Sequence, residues 1–219
     1  MNGASKVVPA ARKLSNRIGL MGGSFDPIHY GHLVLAEEVR QHLNLDRVIF
    51  IPVGRAPHKA QFKMADPEVR CKMVELAISD NPYFELSRLE IDSEVTSYTI
   101  HTLRKMKELY GAYFELFFIT GADTLLDLEN WYEVEEVLKL CTFVGATRPG
   151  YVSEILIQKA QTLRENFHAK IELIAIPGLA ISSTEIRERL QKGMTVKYLL
   201  PETVEHFIVE ESIYEKEDQ

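Results

Sequence analysis

Short apolar runs alternating with longer stretches of helical period limit this chain to one class of fold. The runs occupy 18–21, 48–53, 84–86, 113–120, 141–146 and 171–176, and such a rhythm builds a parallel sheet with crossover helices on its faces. FELFFIT (114–120) and IELIAI (171–176) show little polar alternation, which predicts strands covered on both faces. Between the runs, Leu35, Val39 and Leu43 recur at helical spacing, as do Val69, Met73 and Leu76, Ile100, Leu103 and Met106, and Leu156, Ala160 and Leu163. These stripes read as core. Asp66 before Pro67 predicts a capped helix start, and Ser153 predicts a cap for a later long helix. The expected fold is α/β: a doubly wound parallel sheet closed by short C-terminal helices. One domain is expected over 17–215, behind a loosely ordered extension at 1–16. In such sheets ligands gather at the carboxyl ends of the strands near the switch point, so motifs that follow strands carry the chemistry.

The 219 residues hold 25 Lys+Arg against 32 Asp+Glu, a formal charge of −7. Nucleic acid and anionic membrane both select a basic surface. Neither is an expected partner, and any phosphate site must be local. Cys71 and Cys141 lie far apart and are the only cysteines, giving neither metal-ligand spacing nor a disulfide framework. A reducing compartment, the cytoplasm, fits. No apolar run approaches the roughly 18 residues that cross a bilayer, and the N-terminal stretch lacks the apolar segment of a secretory signal. A homodimer is compatible with the sequence, which leaves oligomeric state open.

After the first run comes Gly22-Gly23-Ser24-Phe25-Asp26-Pro27-Ile28-His29-Tyr30-Gly31-His32, and a helical stripe follows. Glycines let a backbone turn tightly and approach a ligand closely. A helix start adds N–H groups and the positive end of a dipole. His29 and His32 lie three apart, so both imidazoles can donate to one anion. The bland alternative, one capping and one packed histidine, leaves the Gly-Gly and Asp-Pro pairs unexplained. These residues resemble the HxGH nucleotidylyltransferase superfamily, whose motif implies adenylyl or cytidylyl transfer without choosing the acceptor. The Walker pattern is absent.

A second anion site is expected at Ile181-Ser182-Ser183-Thr184-Glu185-Ile186-Arg187. Ser182 and Glu185 have capping-box spacing, and Ile181 with Ile186 has staple spacing. A well-capped helix would explain that much. Ser183 and Thr184 add hydroxyls at the same end and Arg187 lies one turn in, so donors and a fixed cation converge where the dipole favours anions. The superfamily uses an ISSTxIR string against the ATP phosphates.

Five further segments carry candidate groups. Pro52 to Lys59 is a proline-stiffened loop from which His58 and Lys59 can reach phosphates. Ser97-Tyr98-Thr99 opens a helix, where Ser97 or Thr99 would ordinarily be caps. Gly121-Ala122-Asp123 places a carboxylate where a ribose is commonly held. Trp131 and Tyr132 stand in the polar stretch LENWYEVEE. A lone tryptophan is ordinarily core, but there it suits a stacking platform better. Arg148, before Pro149-Gly150, can fork onto a monophosphate.

The set PHK, SYTIHTL, GAD, RPG and ISSTEIR, in this order, resembles bacterial nicotinate-nucleotide adenylyltransferases from about Ile18 to the YLLPETVEHFI segment. The resemblance implies a Rossmann-like nucleotidylyltransferase fold, and transfer of the adenylyl group of ATP to nicotinate mononucleotide with release of pyrophosphate. ATP would be held by Gly22, Gly23, Ser24, Phe25, His29, His32, Gly121, Asp123, Ile181, Ser182, Ser183, Thr184 and Arg187. Nicotinate mononucleotide would meet Ser24, His58, Lys59, Tyr98, Thr99, Trp131, Tyr132 and Arg148, with Trp131 on the pyridine ring and Arg148 on the phosphate. The catalytic set is His29, His32, Arg187 and Lys59. Mg2+ would come mainly on the ATP phosphates, with no dedicated protein ligands. The departures are Ile28, where the family often has Pro, and His101, where it often has Asp. Rivals are a relative with another acceptor, such as phosphopantetheine, and a non-catalytic nucleotide-binding domain on the same fold.

Overall fold

The computed structural model describes residues 15–55, 64–147 and 154–215. Six strands, β1 (Arg17–Gly23), β2 (Arg47–Pro52), β3 (Phe84–Leu86), β4 (Glu115–Gly121), β5 (Thr142–Thr147) and β6 (Lys170–Ala175), pair in parallel in the order β3-β2-β1-β4-β5-β6. Each expected run is a strand, displaced by no more than two residues at an end. Seven α-helices are described: α1 (Tyr30–His42), α2 (Pro67–Ile78), α3 (Thr99–Tyr110), α4 (Val134–Leu140), α5 (Glu154–Phe167), α6 (Ser183–Gln191) and α7 (Glu202–Glu210). Two 3-10 turns, Ala122–Leu126 and Leu128–Asn130, follow β4.

Successive residues of a strand face opposite sides of the sheet, and here each side has its own core. Met21, Phe50, Phe117 and Ile119 pack with Val39 of α1, Met73 of α2, Ile186 of α6 and Ile208 of α7. Ile18, Leu20, Ile49, Ile51 and Phe118 pack with Leu103 of α3, Val137 of α4 and Ala160 of α5. Double coverage explains the unalternating runs at the sheet centre. β6 departs from that expectation: it is an edge strand on which Lys170, Glu172 and Ala175 are exposed while Ile171 and Ile174 are buried, so the sheet is less completely covered at this edge among the described residues. Asp66 caps α2 as expected, accepting from Glu68 N–H at 2.8 Å. Ser153 lies outside the described residues, as does the extension up to residue 14. Just before β1, the Ser15 hydroxyl donates to Asp46 at 2.9 Å, and Asn16 C=O accepts from Glu115 N–H at 2.8 Å. No helix among the described residues is long and apolar enough to cross a membrane.

Chain direction across the sheet reverses between β1 and β4, which are neighbours. The crevice outside their carboxyl ends is the switch point of a doubly wound sheet. The histidine turn follows β1 and the GAD segment follows β4, so both open onto it.

Candidate active site

β1 stays extended through Gly22 and Gly23, which pair with Ile51 and Pro52. The reversal expected at these glycines falls instead at Phe25, whose φ is 47°. The Phe25 ring is buried between Phe50, 5.8 Å away, and His32, 5.2 Å away, so packing holds it in a conformation that bulky residues rarely adopt. Asp26-Pro27 is a cis peptide. His29 then stands at the N-cap of α1. Its ring stacks on His32 with centroids 3.8 Å apart, and its backbone N–H donates to His32 Nδ1 at 3.3 Å. That contact makes Nδ1 an acceptor and leaves the His32 proton on Nε2. Nδ1 of His29 is buried without a hydrogen-bond partner among the described residues. Desolvation pushes His29 down to about 4, and desolvation followed by the neighbouring His29 pushes His32 down to about 3. Both rings are therefore neutral at neutral pH, each with one N–H to offer. Gly31 makes the stack possible, since a Cβ there would meet the His29 ring at 2.9 Å.

The second helix entrance meets this turn directly. Ser182 caps α6, its hydroxyl accepting from Glu185 N–H at 3.1 Å. Only half of the expected box forms, because Glu185 accepts from Arg189 Nε at 3.1 Å. Ile181 and Ile186 share one core, as their staple spacing implies. Ser183 Oγ donates to Pro27 C=O at 2.9 Å. Arg187 Nη1 donates to Asp26 C=O at 2.5 Å and faces the Asp26 carboxylate at 3.7 Å, while Nη2 donates to Thr184 Oγ1 at 3.3 Å. Ser182, Ser183 and Arg187 are thus already engaged with protein atoms, and Ser183 acts as a tie between the two entrances. One helix-start donor is likewise taken: Tyr30 N–H donates to Leu199 C=O at 3.0 Å.

Beside the two entrances lies a cavity of about 510 Å³, lined by Gly31 and Leu35 of α1, Gly121 at the end of β4 and Asp123 after it, Thr147 of β5, and residues 176–179 after β6. Gly121 and Asp123 fall where the sequence predicts. Thr147 and residues 176–179 were not singled out; the Pro177-Gly178 pair between a strand and a capped helix was the available signal.

On the other side of the switch point, Ser97 and Thr99 do not cap α3. Tyr98 holds that position without a side-chain bond, because Ser97 Oγ accepts instead from Gly54 N–H at 3.2 Å. Ser97 N–H donates to Arg55 C=O at 3.0 Å, which joins the loop after β2 to the SYT segment. The Tyr98 and Tyr132 rings lie 4.7 Å apart, with His101 6.0 Å and 6.2 Å from them. Trp131 is half-buried, edge-on to Phe118 and Phe143 at 5.9 Å and 5.8 Å. The indole packs against the core, as a lone tryptophan ordinarily does, without being fully buried. His58, Lys59 and Arg148 lie outside the described residues.

The family model described as cytidylyltransferase-like matches residues 20–189. A probable nicotinate-nucleotide adenylyltransferase of Thermoanaerobacter sp. (strain X514) is 47% identical over 203 residues, covering 93% of this chain and 96% of the relative. One of the same name from Moorella thermoacetica is 48% identical over 198 residues, covering 90% and 91%. The chain belongs to the nicotinate-nucleotide adenylyltransferase family. Among solved structures, a Plasmodium falciparum nicotinic acid mononucleotide adenylyltransferase complexed with NaAD superposes with a TM-score of 0.73 at 25% identity, covering 90% of this chain and 97% of that one.

Other buried polar residues of this family member escaped the sequence reading. Arg70 of α2 is 1% exposed, and its guanidinium donates to Ala65 C=O at 3.0 Å and to Ser24 C=O and Val53 C=O at 2.9 Å each. It ties the loops after β1 and β2 to the start of α2. Glu90 accepts from Thr102 Oγ1 at 2.6 Å, and burial pushes its carboxyl above the usual range. A Cβ at Gly54 would meet Glu90 C=O at 2.0 Å, so only glycine permits that approach. These residues lack a local signal because their partners lie on other elements.

Proposed function

We infer that the chain transfers the adenylyl group of ATP to nicotinate mononucleotide, forming nicotinate adenine dinucleotide and pyrophosphate. The observation that carries the transfer chemistry is the junction of the two helix entrances, Ser183 Oγ on Pro27 C=O at 2.9 Å. It sets the histidine pair and Arg187 at one edge of the sheet. The acceptor follows from the family.

A phosphate oxygen of nicotinate mononucleotide attacks the α-phosphorus of ATP in line. The bond from that phosphorus to the bridging oxygen breaks, and pyrophosphate leaves. A phosphate dianion is already a competent nucleophile, so neither a general base nor a covalent enzyme intermediate is required. Catalysis reduces to alignment and stabilisation of charge on the transferring and leaving oxygens. We assign the His32 Nε2 proton and the His29 ring to the transferred and leaving phosphates. Ser182, Thr184, the first N–H groups of α6 and Arg187 take the triphosphate, and Gly121 with Asp123 takes the ribose side. Gly22, Gly23, Ser24 and Phe25 form the floor of the turn. Lys59 neutralises developing charge. Tyr98, Thr99, Trp131 and Tyr132 frame the pyridine ring, and His58 and Arg148 hold the acceptor phosphate. Mg2+ enters with ATP as part of the substrate, on phosphates and water, which that ion prefers to a protein cage. We place the reaction in the cytoplasm, in keeping with two free, buried cysteines.

The test is pyrophosphate release from ATP with nicotinate mononucleotide, run beside nicotinamide mononucleotide and phosphopantetheine. Turnover with the first is expected. Turnover with phosphopantetheine alone reassigns the acceptor, and silence with all three removes the enzymatic reading. His32→Ala should lower kcat by about 10²- to 10³-fold, the scale of removing one preorganised donor.

A further inference from the structure

Asp26 is the point on which both phosphate grips lean, and its own surroundings come from a distant part of the chain. The residue is 3% exposed. Its Oδ1 accepts from the Tyr214 hydroxyl at 2.7 Å and from Ala65 N–H at 3.2 Å, while its Oδ2 faces Arg187 Nη1 at 3.7 Å. Tyr214 lies after α7, 188 residues further along, with its hydroxyl buried against Met73. Burial first, and then the Asp26 charge and hydrogen bond, push the phenol far above its ordinary value against the opposing pull of Arg187 and Arg70, so it stays a proton donor at any working pH. The other nearby cation, Arg70, is committed to three carbonyls. Among the described residues, Arg187 is the cation within ion-pair distance of the Asp26 carboxylate. A buried carboxylate that loses a donor seeks another, and among the described residues the Arg187 guanidinium at 3.7 Å is the charged donor at hand.

We propose that Tyr214 is a positioning residue for adenylyl transfer: by occupying Asp26 Oδ1 it keeps Arg187 from closing onto the carboxylate and leaves that guanidinium aimed at the triphosphate. Docking of the segment after α7 thereby sets the second phosphate grip. This rests on the adenylyltransferase reading of the site.

The experiment is a double-mutant cycle of Tyr214→Phe and Asp26→Asn, read by steady-state kinetics with ATP and nicotinate mononucleotide and by thermal unfolding. Phenylalanine keeps the ring and deletes the donor. Asparagine still accepts from Tyr214 but no longer attracts Arg187 as a charge. Tyr214→Phe in the natural background should lower kcat/KM for ATP about tenfold, the scale of one hydrogen bond to a charged group. The KM for nicotinate mononucleotide should hold. In the Asp26→Asn background the same change should cost less than about twofold, because interacting residues are non-additive. Should Asp26→Asn fail to fold, the split between the two substrates in Tyr214→Phe alone carries the test. Kinetic constants unchanged in Tyr214→Phe despite a lower Tm, an equal loss in both backgrounds, or an equal loss toward both substrates would each overturn the proposal. A wild-type protein without turnover overturns the adenylyltransferase reading instead.

Discussion

His29 and His32 stack with ring centroids 3.8 Å apart, and Gly31 is the reason they fit. Adding a Cβ at residue 31 would place carbon 2.9 Å from the His29 ring, so the imidazole must leave its stack. Alanine also favours a helix over glycine by up to about 1 kcal/mol. Gly31→Ala is therefore expected to lose kcat by about 10- to 100-fold, the cost of a misplaced catalytic group, while unfolding at nearly the wild-type temperature; full activity would show that the stack is dispensable. The same pair shapes the pH dependence of stability. Folding lowers the two histidines from 6.5 to about 4 and about 3, so the unfolded chain binds more protons between those values and 6.5. Stability from their neutral burial is present in full above pH 6.5. It falls as pH drops through that window, by up to about 1.4 kcal/mol per pH unit for each ring. Denaturant unfolding from pH 7 to 4 should show this slope, and His32→Ala should flatten it. An identical slope in the variant would place the titration elsewhere.

Helix entrances are the elements that matter most, and two of them separate stability from function. Ser182 caps α6 at the site, whereas Asp66 caps α2 with the same kind of bond, to Glu68 N–H at 2.8 Å. Removing either cap should cost about 1 kcal/mol. Ser182→Ala should in addition raise KM for ATP, while Asp66→Ala should leave the kinetics unchanged; equal kinetic effects would mean that α6 has no special relation to ATP. Both caps were legible in the sequence, because a cap depends on residues two or three positions away. The start of α3 was misread for the complementary reason. Ser97 has the chemistry of a cap but spends its oxygen on Gly54 N–H, a partner 43 residues away. Gly22 and Gly23 suggested a turn in the same way, yet sheet pairing with β2 keeps them extended and moves the reversal to Phe25.

At the scale of the whole molecule, the two helix entrances proposed to grip the triphosphate belong to segments far apart in the chain and meet at the carboxyl ends of the strands, where the strand order reverses. A ligand that bridges them must stabilise the entire domain. Saturating ATP with Mg2+, at about 100 times its Kd, should add about 2.7 kcal/mol and raise Tm by roughly 5–10 °C for a domain of this size. ADP, which lacks the γ-phosphate, should give less. No shift with ATP would mean that α1 and α6 do not share a ligand.

Strand positions, core stripes and the caps at Asp66 and Ser182 were determined by the sequence alone, since each depends on period or on neighbours within one turn of chain. Tertiary structure decided the rest: which strands became the edges, how Arg70 joins the loop after β1 to both ends of the β2–α2 connection, and how Tyr214 and Arg187 converge on Asp26 across 188 and 161 residues. Those contacts carry no local pattern. They arise only when crossovers fold distant elements onto one sheet, where burial obliges each polar atom to find a partner wherever the chain has placed one.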